Sequence, residues 1–172
     1  EDELEGGLKV LAKAKFGRTG QNKMWLAGNN LMRGLLIEDE AVVERASKEI
    51  KETIFVTEDE GIQPDWSFHQ HGPQIQFGNY GMAFVDGVSF WMAVLKGTKY
   101  DFSDEHKEII GNLIKQGTSW CVYQGCLDLS FCGRQNFLNA GRGKATAFAI
   151  AAMYMAMASE NERDFYTAIA DA

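Results

Sequence analysis

The chain has 172 residues, 45% of them hydrophobic and 24% charged, and 17 Lys and Arg stand against 24 Asp and Glu for a net charge of −7. That length allows one domain with a sizeable core, and the acidic balance argues against nucleic acid as a partner, because no basic excess is available to displace phosphate counterions. The longest apolar run, 145–158, is shorter than the ~18 residues of a membrane span, so no membrane partner is expected, whereas a few cations in a cleft are enough to receive an acidic glycan.

The first residue is Glu1 rather than methionine, no signal-peptide pattern follows it, and a helical pattern runs to the last residues. The chain is therefore expected to be a piece of a longer protein, with residues 1–172 forming a single domain. Trp25, Leu26, Leu31, Leu35 and Leu36 recur at helical spacing over about 21–37. After a short acidic turn, Asp39 reads as the N-cap of a second helix carrying Val43, Ala46, Ile50 and Ile54; so brief a connection predicts antiparallel neighbours. Residues 57–77 break the period, punctuated by Gly61, Pro64, Gly72 and Pro73. Trp66 and Phe68 within them argue for an ordered loop, of a length usually given over to function.

Helix returns from about Tyr80 to Lys96, and Ser103 caps another that runs to about Tyr123. Weak alternation over 126–138 predicts a short β-hairpin. A helix from about Gly143 to Ser159 follows, and Ser159 with Glu162 predicts a capping box for a last helix. Cys121, Cys126 and Cys132 match no zinc or redox spacing and read as small apolar side chains. The sum is an all-α protein of antiparallel helical hairpins with the functional loops on one side, as in an α/α toroid or solenoid.

The residues able to do chemistry concentrate in QPDWSFHQHGPQIQFGNYG, residues 63–81, with Asn22 upstream and Arg134 downstream. Elimination of a glycosidic bond beside a uronate needs three things: a group that neutralises the carboxylate, a base for the weakly acidic carbon proton, and an acid for the leaving oxygen. Asn, His, Tyr and Arg can fill those roles. A tyrosine in a first helical turn, near an arginine, is favoured as phenolate by the helix dipole and the cation. Each residue also has an ordinary structural reading: Tyr80 as an interface residue, His71 as a satisfied loop histidine, Asn22 as a helix cap, Arg134 as a surface arginine. Two rival functions remain open at this level. His69 and His71 with Asp65 could present ligands for a hydrolytic metal on one side of an extended loop, although His106 falls on a polar helix start and supplies no third ligand. A helical module that binds glycan without cutting it is the other.

The stretch Asp65-Trp66-Ser67-Phe68-His69-Gln70-His71-Gly72-Pro73-Gln74, with Asn79-Tyr80-Gly81 nine residues after the histidine, resembles the catalytic segment of polysaccharide lyase family 8, most closely its chondroitin AC lyase branch. Gly20-Gln21-Asn22-Lys23 is similar to the family's carboxylate-binding segment, and Gly133-Arg134 to its Gly-Arg element. The resemblance spans about residues 18–145. It implies an incomplete (α/α) toroid whose catalytic residues are Asn22, His71, Tyr80 and Arg134, converging on one sugar-sized hollow. It further implies substrate contacts from Trp66, Gln70, Asn136 and Arg142. Trp25 and Trp66 are candidates for sugar stacking, with core packing the stronger reading for both. The family's second arginine, four residues on, is Leu138 here, and Arg142 is a nearby substitute. The resemblance also implies an acidic polysaccharide substrate such as chondroitin or hyaluronan, no cofactor and no metal, and a secreted or periplasmic enzyme. Its β-sandwich domains, with their helper glutamate, are missing from this chain.

Overall fold

Glu38, in the left-handed region at φ 54°, turns the chain between α2 (Gly20–Leu36) and α3 (Glu40–Lys51). The expected cap forms, with the Asp39 carboxylate accepting from the Val42 N–H at 3.1 Å. Lys23 at the start of α2 pairs with Glu49 and Glu52 at the end of α3, at 3.2 and 2.7 Å, so the two helices are antiparallel as predicted. Their approach depends on Gly34, where a Cβ would lie 2.9–3.0 Å from Val43.

The computed structural model describes residues 2–15 and 17–171. Around that hairpin stand α1 (Asp2–Leu11), α4 (Met82–Leu95), α5 (Asp104–Asn112), α6 (Ala140–Ala158) and α7 (Arg163–Asp171). Two small antiparallel strand pairs complete the described residues: β1 (Gly61–Ile62) with β2 (Phe68–His69), and β3 (Val122–Tyr123) with β4 (Cys126–Leu127). The chain is all-α, as expected, and α4 lies at its centre, packed on α2 and on α6, with α7 against α6. The core runs through Met24, Leu31, Ile50, Ile62, Phe68, Phe84, Met92, Ile110, Ile114 and Leu127, all fully buried. No helix among the described residues is long and apolar enough to cross a membrane.

Several element boundaries differ from the sequence reading. α1, exposed along most of its length, is not among the elements expected from the sequence, although Leu4, Leu8 and Leu11 recur at helical spacing. Ser103 does cap α5, but as a capping box closed by His106 in place of the usual acid, which commits that histidine to a structural role. Instead of reaching Tyr123, the helix widens after Asn112 into a π turn (113–117) and tightens into a 3₁₀ turn (118–121). The break coincides with Gly117, whose Cα faces the carbonyl oxygen of Trp66 so closely that any Cβ would overlap it. The hairpin spans 122–127 rather than 126–138. Gln124 and Gly125, with φ 48° and 67°, supply the two left-handed residues that a two-residue hairpin turn requires. Residues 129–131 form a 3₁₀ turn whose Ser130 N–H donates to Asp128 at 2.8 Å.

α6 starts at Ala140, ahead of the expected Gly143. The Ser159–Glu162 capping box does not form: the Ser159 N–H closes α6 on Met155 O, and the Glu162 carboxylate accepts instead from Lys115 and from the buried Tyr166 hydroxyl. All three cysteines are free, Cys121 and Cys132 buried and Cys126 half-buried, and burial pushes the Cys121 thiol up to about 11. The reading of them as small apolar side chains fits these surroundings.

Because backbone rather than a side-chain tip blocks the space at Gly117, Gly117→Ala should destabilise the fold by about 1–3 kcal/mol. The measurement is the urea midpoint at constant m-value; an unchanged midpoint would show that the 66–117 contact yields freely.

Candidate active site

The loop between α3 and α4 is ordered by its own hydrogen bonds and by two anchors in the core. Ile62 and Phe68 are fully buried, with the Phe68 ring 5.0 Å from that of Phe84. Gln63 N–H donates to Ser67 O, Gln76 N–H to Phe68 O, and the Gln63 side chain donates to Asp59 O and Gly61 O. Two non-glycine residues of this loop, Trp66 and His71, sit at φ 63° and 62°. Strained backbone of this kind persists only where its surroundings over-determine it, and it clusters at functional sites.

The loop ends in a π turn, Phe77–Gly81, that runs directly into α4 and carries Tyr80 in its last residues. Gly78 and Gly81 are needed there. A Cβ on Gly81 would lie 3.0 Å from Phe68, and one on Gly78 would overlap Leu127 and fall 2.7 Å from Phe131 O and 3.0 Å from the Cys132 Cα. That last approach brings the segment after β4 against the π turn and delivers Arg134 to Tyr80.

Three of the four expected catalytic side chains therefore meet. His71 Nε2 lies 2.8 Å from the Tyr80 hydroxyl, with the two rings edge-on at 4.9 Å. Arg134 Nη2 donates to the same hydroxyl at 3.0 Å, its guanidinium 5.8 Å from the ring centre. His71 and Arg134 are exposed and Tyr80 half-buried, so the phenol oxygen sits between an imidazole and a cation at an open surface.

Asn22 reaches the same end of the molecule by another route. Gly28 abuts Trp91 and Gly87 abuts Met24, a register that makes α2 and α4 parallel and sets their first turns side by side. The α2 N-terminus is tied to the loop where the Gln21 N–H donates to Gln70 Oε1 at 3.0 Å. Asn22, half-buried, opens onto a groove of about 650 Å³ that it lines with Arg18, Trp25, Leu26 and Asn29. Its amide makes no hydrogen bond to His71, Tyr80 or Arg134 among the described residues; what it shares with Tyr80 is position near a helix start, where an anion is favoured.

The expected substrate contacts divide. Gln70 is 1% exposed with both amide atoms engaged, so it braces the site from behind and does not face substrate. Trp66 packs against the core, with its carbonyl on Gly117. Asn136 and Arg142 are exposed and make no side-chain hydrogen bond or ion pair among the described residues, and Leu138 is 89% exposed, so no second arginine joins Tyr80 from that position. Trp25 departs from its core reading: it is 50% exposed, on the groove beside Asn22. The metal-site constellation is not assembled. His71 Nε2 faces Tyr80, Asp65 caps the Ser67 N–H, and no three His, Cys, Asp or Glu side chains among the described residues group as ligands.

One residue that sequence reasoning missed is Glu60, whose carboxylate accepts from Thr19, Gln70 and Gly72. The Thr19 hydroxyl bond, with backbone N–H bonds from Gly72 and His71, holds that carboxyl below the usual glutamate range. Its only sequence signal is its place in an acidic run just before Gly61. Three amides around Tyr80, those of Gln21, Gln76 and Asn79, keep at least one buried atom without a protein partner, a pattern that also marks functional surroundings.

The profile of polysaccharide lyase family 8, N-terminal alpha-helical domain, matches residues 2–171. The chain belongs to this family. Chondroitinase-AC of Pedobacter heparinus is 34% identical over 118 residues, 68% of this chain and 17% of that protein. A hyaluronate lyase of Thermasporomyces composti is 28% identical over 117 residues, 67% of this chain and 15% of the relative. A solved chondroitinase AC lyase–oligosaccharide complex superposes with a TM-score of 0.79 at 26% identity, covering 89% of this chain and 23% of that one. The chain thus spans about a sixth of the length of the curated relatives it matches.

The contact at Gly78 generates a prediction. Gly78→Ala should push the 127–132 backbone off the π turn and separate Arg134 from Tyr80, destabilising the protein by about 1–3 kcal/mol. A crystal structure of the variant with the Arg134–Tyr80 distance still near 3 Å would refute the dependence.

Proposed function

We propose that the protein carrying this chain is a lyase that cuts a uronic-acid-containing glycan, of the chondroitin or hyaluronan kind, by β-elimination. The observation that carries this reading is the shared contact of the Tyr80 hydroxyl with His71 at 2.8 Å and Arg134 at 3.0 Å. Arg134 stabilises negative charge on the phenol oxygen, and neutral His71 can take the phenol proton, so the trio generates a phenolate at an open surface. Asn22, at the helix-start end, donates to the uronate carboxylate and lowers the cost of charge developing on the neighbouring carbon. The Tyr80 phenolate removes the C5 proton, the C4–O bond breaks as the C4–C5 double bond forms, and Tyr80 returns a proton to the departing oxygen. Both transfers use one face of the sugar, a syn elimination, and the new non-reducing end is an unsaturated uronate. No step calls for a cofactor.

This chain supplies one wall of the cleft, and the rest of a longer polypeptide, β-sandwich domains included, closes it. An acidic extracellular polysaccharide as substrate places the enzyme outside the cell or in the periplasm. Replacing Tyr80 with Phe in the full-length polypeptide should lower kcat by about 10³-fold or more, removing the ultraviolet absorbance gained on digesting chondroitin or hyaluronan. An undiminished gain would remove Tyr80 from the mechanism, and glycan binding by the unmodified enzyme with no unsaturated product would favour a non-catalytic module.

A further inference from the structure

We infer that Glu60 is a positioning residue for His71, its carboxylate fixing the His71–Gly72 corner and locking it to the first turn of α2, the turn that carries Asn22. The inference rests on the lyase reading above and deepens it.

The geometry is a continuous relay of hydrogen bonds. Glu60 Oε2 accepts from the Thr19 hydroxyl at 2.7 Å and from Gln70 Nε2 at 2.5 Å, while Oε1 accepts from the Gly72 N–H at 3.1 Å. Gln70 Oε1 accepts in turn from the Gln21 N–H at 3.0 Å. The α2 start, the buried amide of Gln70, the carboxylate and the loop corner therefore form one unit. Gly20, at φ 51°, makes room for it, since any Cβ there would overlap Gln70 Oε1.

The corner needs such a hold. His71 and Gly72 are both left-handed, at φ 62° and 77°, and histidine adopts that conformation at a cost glycine does not bear. Successive N–H groups in such a corner form a concavity suited to an anion. Here the anion is internal: the Gly72 and His71 N–H groups both act on the Glu60 carboxylate. Glu60 contacts neither Tyr80 nor Arg134, so its effect reaches the reacting atoms through the placement of the His71 ring, 2.8 Å from the phenol.

The experiment compares wild-type, Glu60→Gln, Glu60→Asp and Tyr80→Phe forms of the full-length polypeptide on hyaluronan and chondroitin, with kcat and KM read from ultraviolet absorbance. Three donors surround two carboxylate oxygens, so an amide at position 60 leaves at least one donor facing N–H. In Glu60→Gln, kcat should fall about ten- to a hundred-fold with KM within about two-fold of wild type. A merely destabilised fold would not lower kcat while leaving KM in place. Glu60→Asp, which keeps two acceptor oxygens, should recover part of the lost kcat. If Glu60→Gln does not fold, Thr19→Val removes a single donor and carries the test, with a smaller fall in kcat at unchanged KM. Wild-type kcat in the folded variant, beside an inactive Tyr80→Phe, overturns the role of Glu60 alone. Glycan binding by the wild type with no unsaturated product overturns the lyase reading itself.

Discussion

The arrangement of the site depends on one close approach of backbone to backbone. At Gly78 the π turn meets the segment 127–132 with no room for a side chain, Phe131 O lying 2.7 Å from where a Cβ would be. That contact alone brings Arg134, fifty-four residues after Tyr80, to within hydrogen-bond reach of the phenol. It also explains why the turn is π rather than α. A wider turn lets Phe77 enter the core beside Phe131, rings 5.7 Å apart, while Tyr80 stays half-exposed one turn later. Packing and chemistry are served by adjacent residues of a single turn.

The second constraint is the parallel packing of α2 and α4. In a simple up-and-down bundle, sequence neighbours are antiparallel and their first turns lie at opposite ends. Here α3 and the ordered loop return the chain, so α4 begins beside the start of α2, and Gly28 and Gly87 let the two helices close on Trp91 and Met24. Two helix N-termini then share one end, and their partial positive charges reinforce each other where the proposed mechanism puts an anionic sugar and a phenolate.

Much of this was legible in the sequence, and the residues show why. The α2–α3 hairpin was readable because its apolar period and the Asp39 cap are local signals. The meeting of His71, Tyr80 and Arg134 was implied by the family resemblance, carried by the nine-residue spacing of His71 and Tyr80 and by the Gly-Arg element. What escaped depends on contacts distant in sequence. The break after Asn112 is imposed by Trp66 against Gly117, and the fate of Glu162 by Lys115, neither of which leaves a periodic trace. The resemblance implied a substrate contact from Gln70, but strand β2 ends just before it and its amide turns inward to Gln21 and Glu60.

The acidic balance of the chain and the acidic glycan proposed as its substrate are reconciled by where the charges lie. Lys23, Lys96, Lys99, Lys107 and Lys115 are each paired with a carboxylate. Arg18, on the groove beside Asn22, and Arg134, on Tyr80, pair with no carboxylate among the described residues, and neither does the exposed Arg142. A guanidinium kept clear of internal acids retains its donors for a planar carboxylate or sulfate, and such local cations outweigh distant negative charge beyond about one Debye length, ~8 Å at physiological salt. The net charge of −7 then acts on long-range approach, while the cations nearest the groove and Tyr80 set the sign of the field there.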